Sequence, residues 1–81
     1  MDREDVRQKL REFVLKELIR KPKYDLKDDE SLIRGGMVDS FSLAHFGVFV
    51  EDTFDVYIPD TDLTVENLDT LTQMVERVLR G

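Results

Sequence analysis

Eighty-one residues, 41% hydrophobic and 37% charged with a net charge of −6, make one small folded domain (1–81), neither disordered-like nor membrane-like in composition. With no cysteine and a single histidine, the chain lacks the means for disulfides or a transition-metal cluster, and few nucleophile–base pairs remain for an enzyme. No apolar run approaches the ~18 residues of a membrane span, and Met1-Asp2-Arg3-Glu4-Asp5 is too charged for a secretion signal, so a cytoplasmic location without membrane insertion is expected.

In the first segment Val6, Leu10, Phe13, Val14 and Leu18 recur at helical spacing beside Ile19, with Arg, Lys and Glu on the other face. Asp2 is placed to cap this helix. Pro22 disfavours helical geometry at Lys21, so the helix should end near there. This part is basic: residues 1–23 hold 8 Lys/Arg against 5 Asp/Glu, a net of +3. From residue 22 to 39 no period is sustained. Leu26, Leu32, Ile33 and Met37 are scattered apolar points expected to tuck under the core and order the loop. Loops of this length are uncommon in compact domains and are often functional.

A second helix is predicted over about residues 40–53. At ~100° per residue, Leu43, Phe46, Val50 and Phe54 fall on one side and form core. The opposite side holds Phe41, Ala44, His45, Val48 and Asp52, with Glu51 flanking. Apolar residues clustered among acids have the composition of a small transient interface. Gly47, in mid-helix, costs up to about 1 kcal/mol relative to alanine. Ser40 stands where the glycine-marked loop (Gly35-Gly36) gives way to this helix. A serine there ordinarily caps the helix with its hydroxyl, and the same place favours a phosphate through free N–H groups and the helix dipole.

Val56-Tyr57-Ile58 is a short extended run ended by Pro59 and an Asp60-Thr61-Asp62 turn. Thr64 can cap a single helical turn over 64–67, and a last helix starting near Asp69 or Thr70 carries Leu71, Met74, Val75, Val78 and Leu79. These elements predict an all-α bundle of four helices, three long and one short, with a long loop between the first and second. Its expected core is Leu10, Phe13, Val14, Leu43, Phe46, Val50, Phe54, Ile58, Leu68, Leu71, Val75 and Val78. Residues 24–81 hold 4 Lys/Arg against 13 Asp/Glu, a net of −9, with no cation between Arg34 and Arg77. Such a surface keeps a small protein soluble or docks basic patches, and it repels nucleic acid. The acids at 52–62 lack the spacing of a calcium-binding EF-hand loop.

Five landmarks together resemble the acyl carrier protein family: Ser31-Leu32-Ile33 before the glycines, Asp39-Ser40-Phe41, Glu51-Asp52-x-Phe54, Ile58-Pro59-Asp60, and Leu63-Thr64-x-Glu66-Asn67-Leu68. The resemblance spans nearly the whole chain and implies the acyl-carrier four-helix bundle. It implies that a phosphopantetheinyl transferase attaches 4′-phosphopantetheine from coenzyme A to Ser40, with Asp39 as the signature residue the transferase recognises. The arm then holds acyl or aminoacyl groups as thioesters, and the protein itself is non-catalytic and binds no metal. By the same resemblance Phe41, Ala44, His45, Val48, Glu51 and Asp52 would meet partners. These are acyl- or aminoacyl-loading enzymes, synthases and transferases with basic docking patches, served by a monomeric carrier. His45 stands where fatty-acid carriers usually have an acid, and Phe41 replaces the commoner leucine. Together with the Leu63-Thr64-x-Glu66-Asn67-Leu68 segment, these departures resemble a discrete carrier of a specialised pathway, with fatty-acid, polyketide, peptidyl and D-alanyl cargo left open. The alternative from another class is an unmodified helical adaptor that binds partners through the acidic second-helix face.

Overall fold

In the computed structural model, which describes residues 1–81, the first helix opens where the Asp2 carboxylate accepts a hydrogen bond from the Glu4 N–H (3.3 Å). Glu4 and Asp5 in its first turn complement the positive end of the helix dipole. Helix α1 (Arg3–Phe13) buries Val6, Leu10 and Phe13 along one stripe and continues as a π-helical turn over Val14–Ile19. The helix stops just short of the predicted end because Arg20 turns left-handed (φ 62°). The N–H groups of Arg20 and Lys21 both fold back to the Leu15 carbonyl. That reversal accounts for the burial of Leu15, which the helical period leaves off the core stripe.

Helix α2 spans Ser42–Phe54, starting two residues later than predicted. Asp55 ends it in the left-handed conformation (φ 57°), which aspartate tolerates better than most residues. Val56 and Ile58 then point inward while Tyr57 is 64% exposed, an alternation like that of a strand, although no strand forms. A 3₁₀ turn over Asp60–Asp62 leads to the single-turn helix α3 (Val65–Leu68). Thr64 stands at the cap position of α3, but its side chain makes no capping bond. Helix α4 (Leu71–Arg80) opens with a reciprocal cap: the Gln73 N–H donates to the Thr70 hydroxyl (3.1 Å), and the Thr70 N–H donates to Gln73 Oε1 (3.0 Å). Leu71, Met74, Val75 and Val78 face inward from it at helical spacing.

The result is a small all-helical bundle of four helices in which α1 and α3 pack on α4. Leu43, Phe46 and Val50 bring α2 into the same core. Every expected core residue is buried except Phe54, which is half-buried at the edge. Val6, Leu15, Val38, Val56 and Met74 join them beyond the expected set. Leu26 and Leu32 tuck under the core as expected, whereas Ile33 and Met37 are only partly covered.

Four clips hold the long loop. Arg7 forks onto Asp28 (Nη2–Oδ1 2.8 Å, Nε–Oδ1 3.1 Å), and Arg11 donates to the Leu26 carbonyl. The Thr72 N–H and hydroxyl both donate to the Asp28 carbonyl (3.0 and 3.2 Å). Asp69, only 6% exposed, accepts from the Ser31 hydroxyl and from the N–H groups of Ile33 (2.8 Å) and Arg34 (3.0 Å). Burial pushes the Asp69 carboxyl up, but these hydrogen bonds and the nearby Arg34 charge outweigh it and hold the group below its ordinary value. The other buried charge, Arg77, meets Asp62 (3.2 Å) and the Gly81 carbonyl (3.2 Å), so it is not left unpaired. No helix is long and apolar enough to cross a membrane.

Candidate functional site

The chain enters α2 through a tight turn. The N–H groups of Ser42, Leu43 and Ala44 bond the carbonyls of Asp39 (2.9 Å), Ser40 (3.1 Å) and Phe41 (3.4 Å), each three residues back. This 3₁₀-type spacing keeps Ser40 outside the α-helix and moves the capping duty to Asp39. The Asp39 carboxylate accepts from the Phe41 N–H (2.8 Å). The expectation that the Ser40 hydroxyl caps the helix is therefore corrected. Ser40 is exposed, and its hydroxyl makes no hydrogen bond to the protein.

Phe41, Ala44, His45, Val48, Glu51 and Asp52 are all exposed along α2 downstream of Ser40. Phe41 is 86% exposed and Val48 58%, high values for large apolar side chains. The stripe is not uniform. His45, Val48 and Asp52 line a groove of about 600 Å³ between α1 and α2, whose opposite rim carries Lys9, Glu12 and Lys16. Its floor is a face-to-face stack of Phe13 on Phe49 (centroids 4.1 Å, 12°), with His45 edge-on to Phe13 (5.2 Å, 86°). Phe41 stands apart from this groove.

The acids of α2 lack cations. Asp62, Glu66 and Glu76 reach Arg77, Arg34 and Arg3 at 3.2, 4.0 and 2.5 Å. Asp39, Glu51, Asp52, Asp55 and Asp60 have no cation within 4 Å, so the face beside Ser40 presents uncompensated negative charge. No three or more His, Asp or Glu side chains gather as a metal site.

Two contributors escape a reading of the sequence alone. Phe49 falls between the core and exposed stripes of α2, and an aromatic residue at such a border is itself a signal of a neighbouring helix. Asp69 looks like one acid among many, and nothing local marks it as the anchor of residues 31–34. No family model and no curated protein matches this chain.

Proposed function

We propose that this chain is a carrier of the acyl-carrier-protein type, which holds acyl or aminoacyl groups as thioesters on a 4′-phosphopantetheine arm joined to Ser40. The observation that carries the reading is the Ser40 hydroxyl, exposed at the head of α2 and free of protein hydrogen bonds because Asp39 does the capping. A long arm needs an attachment point of that kind, open to solvent at the end of a rigid element. A phosphate on Ser40 would also sit at the positive end of the α2 dipole. When bound, the arm supplies the thiol that carries the cargo.

The remaining residues have supporting parts. Asp39 shapes the turn that a phosphopantetheinyl transferase would recognise along with Ser40. Phe41, Ala44, His45, Val48, Glu51 and Asp52 would form the docking face for loading enzymes, synthases and transferases with basic patches. Uncompensated acids with small apolar contacts favour fast encounter and ready release, as a shuttle among enzymes requires. The helix order, with its long loop before α2 and short α3 before α4, supports this reading. Such a carrier would work in the cytoplasm, in fatty-acid, polyketide or related biosynthesis.

The test is intact-mass measurement after incubation with coenzyme A and a broad-specificity phosphopantetheinyl transferase. The unmutated chain gains one phosphopantetheine group, and Ser40→Ala gains none while keeping its helical circular dichroism. An unchanged mass, under conditions that modify a control carrier, would sink the carrier reading and leave a helical adaptor acting through the α2 face.

A further inference from the structure

We propose that Asp69 is the positioning residue for Ser40: from the start of α4 it holds the 31–38 loop in the one conformation that delivers Ser40 to the head of α2. The consequence for modification rests on the carrier reading; the loop geometry does not.

The connection can be followed bond by bond. The Asp69 carboxylate accepts from the Ser31 hydroxyl and from the Ile33 and Arg34 N–H groups (2.8 and 3.0 Å). Its backbone carbonyl takes the Leu32 N–H at 2.7 Å, so four consecutive loop residues are tied to one side chain and its own carbonyl. The Leu32 carbonyl in turn accepts from the N–H groups of Met37 and Val38, both at 2.9 Å, and the Ile33 carbonyl accepts from Gly36 at 3.0 Å. Leu32 and Val38 are sunk in the core, and the next two residues are Asp39 and Ser40.

The two glycines belong to the same closure. A Cβ at Gly35 would lie 2.2 Å from the Ser31 carbonyl oxygen, and Gly36 has φ +86°. Capping of α4 does not explain Asp69, because Thr70 and Gln73 already cap that helix between them. A buried carboxylate is costly unless fully bonded. Here all of its side-chain bonds go to the loop.

The experiment compares the unmutated chain, Asp69→Ala and, as a matched control, Val78→Ala, which opens the buried α4 core but removes no hydrogen bond to the loop. Amide hydrogen exchange, read residue by residue, is the first arm. In Asp69→Ala the Ile33, Arg34, Met37 and Val38 amides should exchange at least about tenfold faster than in Val78→Ala, after correction for global stability. Transferase kinetics at a temperature where all three are folded form the second arm. There kcat/KM for modification of Ser40 should fall about tenfold or more in Asp69→Ala and stay near the unmutated value in Val78→Ala. Asp69→Asn, which keeps one acceptor oxygen, should recover part of both effects.

Loop exchange in Asp69→Ala no faster than in the control overturns the proposal. So does a loosened loop with unchanged kcat/KM, because Ser40 would then not depend on it. If the unmutated chain is not modified at all, the carrier reading falls. The exchange arm then decides the positioning alone: loosening confined to 31–40 supports it, and loosening spread evenly through α1 and α4 overturns it.

Discussion

His45 lays its ring edge-on against Phe13, with centroids 5.2 Å apart and planes at 86°. Helical spacing predicts a solvent-facing histidine free of the core, and it is exposed, yet it also closes one side of the α1–α2 groove. Glutamate at this position would remove the ring contact and add a negative charge beside Glu12, Glu17 and Asp52. Lys9 and Lys16, the cations of that groove, are already engaged by Asp5 (3.0 Å) and Glu12 (2.7 Å). His45→Glu should therefore cost about 0.5–1 kcal/mol in denaturant unfolding, where spacing alone predicts an untouched fold. By the carrier reading it should also improve docking to a fatty-acid partner enzyme and weaken docking to the cognate one, by about 1 kcal/mol and less at high salt. Titration of both variants against both partners is the check, and equal affinities would remove His45 from partner choice.

Asp69 predicts a specific acid limb of stability. Burial raises its carboxyl, but hydrogen bonds from Ser31, Arg34 and Ile33, with the Arg34 charge, leave it lower than in the unfolded chain. As pH falls, the unfolded state takes up the proton first, so the stabilisation present at neutral pH is lost as pH drops through the folded value. Denaturant midpoints should decline below about pH 5, and Asp69→Asn should decline less steeply. Identical acid limbs in the two proteins would show that other carboxylates set the decline.

Added salt should raise the melting temperature near neutral pH, and magnesium should do so at lower concentration. The cause is mutual repulsion among Asp39, Glu51, Asp52, Asp55 and Asp60, none of which has a cation within 4 Å. A flat or falling melting temperature would mean that the pairs Asp62–Arg77 and Glu76–Arg3 contribute more than the repulsion costs.

Two glycines should respond in opposite directions to alanine. At Gly35 the added carbon would meet the Ser31 backbone oxygen at 2.2 Å, so Gly35→Ala should displace the loop and cost more than about 2 kcal/mol. At Gly47 it would meet the Leu63 Cδ1 at 3.3 Å, the mobile end of a half-buried side chain. Leu63 can yield a few tenths of an ångström, and the gain in helix propensity should leave Gly47→Ala more stable by about 0.5 kcal/mol. Thermal melts decide both, and a destabilised Gly47→Ala would show that Leu63 is held rigidly.

The helices were legible because their signals are local. The 71, 74, 75, 78 stripe of α4, the Asp2 cap and the Thr70 start each depend on residues within a turn or two. Leu15, Val38 and Phe49 were not legible as buried or stacked residues. Their cover comes from a chain reversal, a loop or another helix, and no periodicity encodes those.

By itself the sequence determined four helices, their apolar faces and the place of Ser40 at the junction of loop and second helix. The tertiary structure decided what that junction is. Because the chain enters α2 through bonds to residues three back, the helix begins at Ser42, the Asp39 carboxylate becomes the cap, and the Ser40 hydroxyl is released to solvent. It also decided that an ordinary-looking acid, Asp69, anchors the loop. The Ser31 hydroxyl it accepts from lies 38 residues away in sequence, and only folding brings two such groups together under enough cover for the bond to matter.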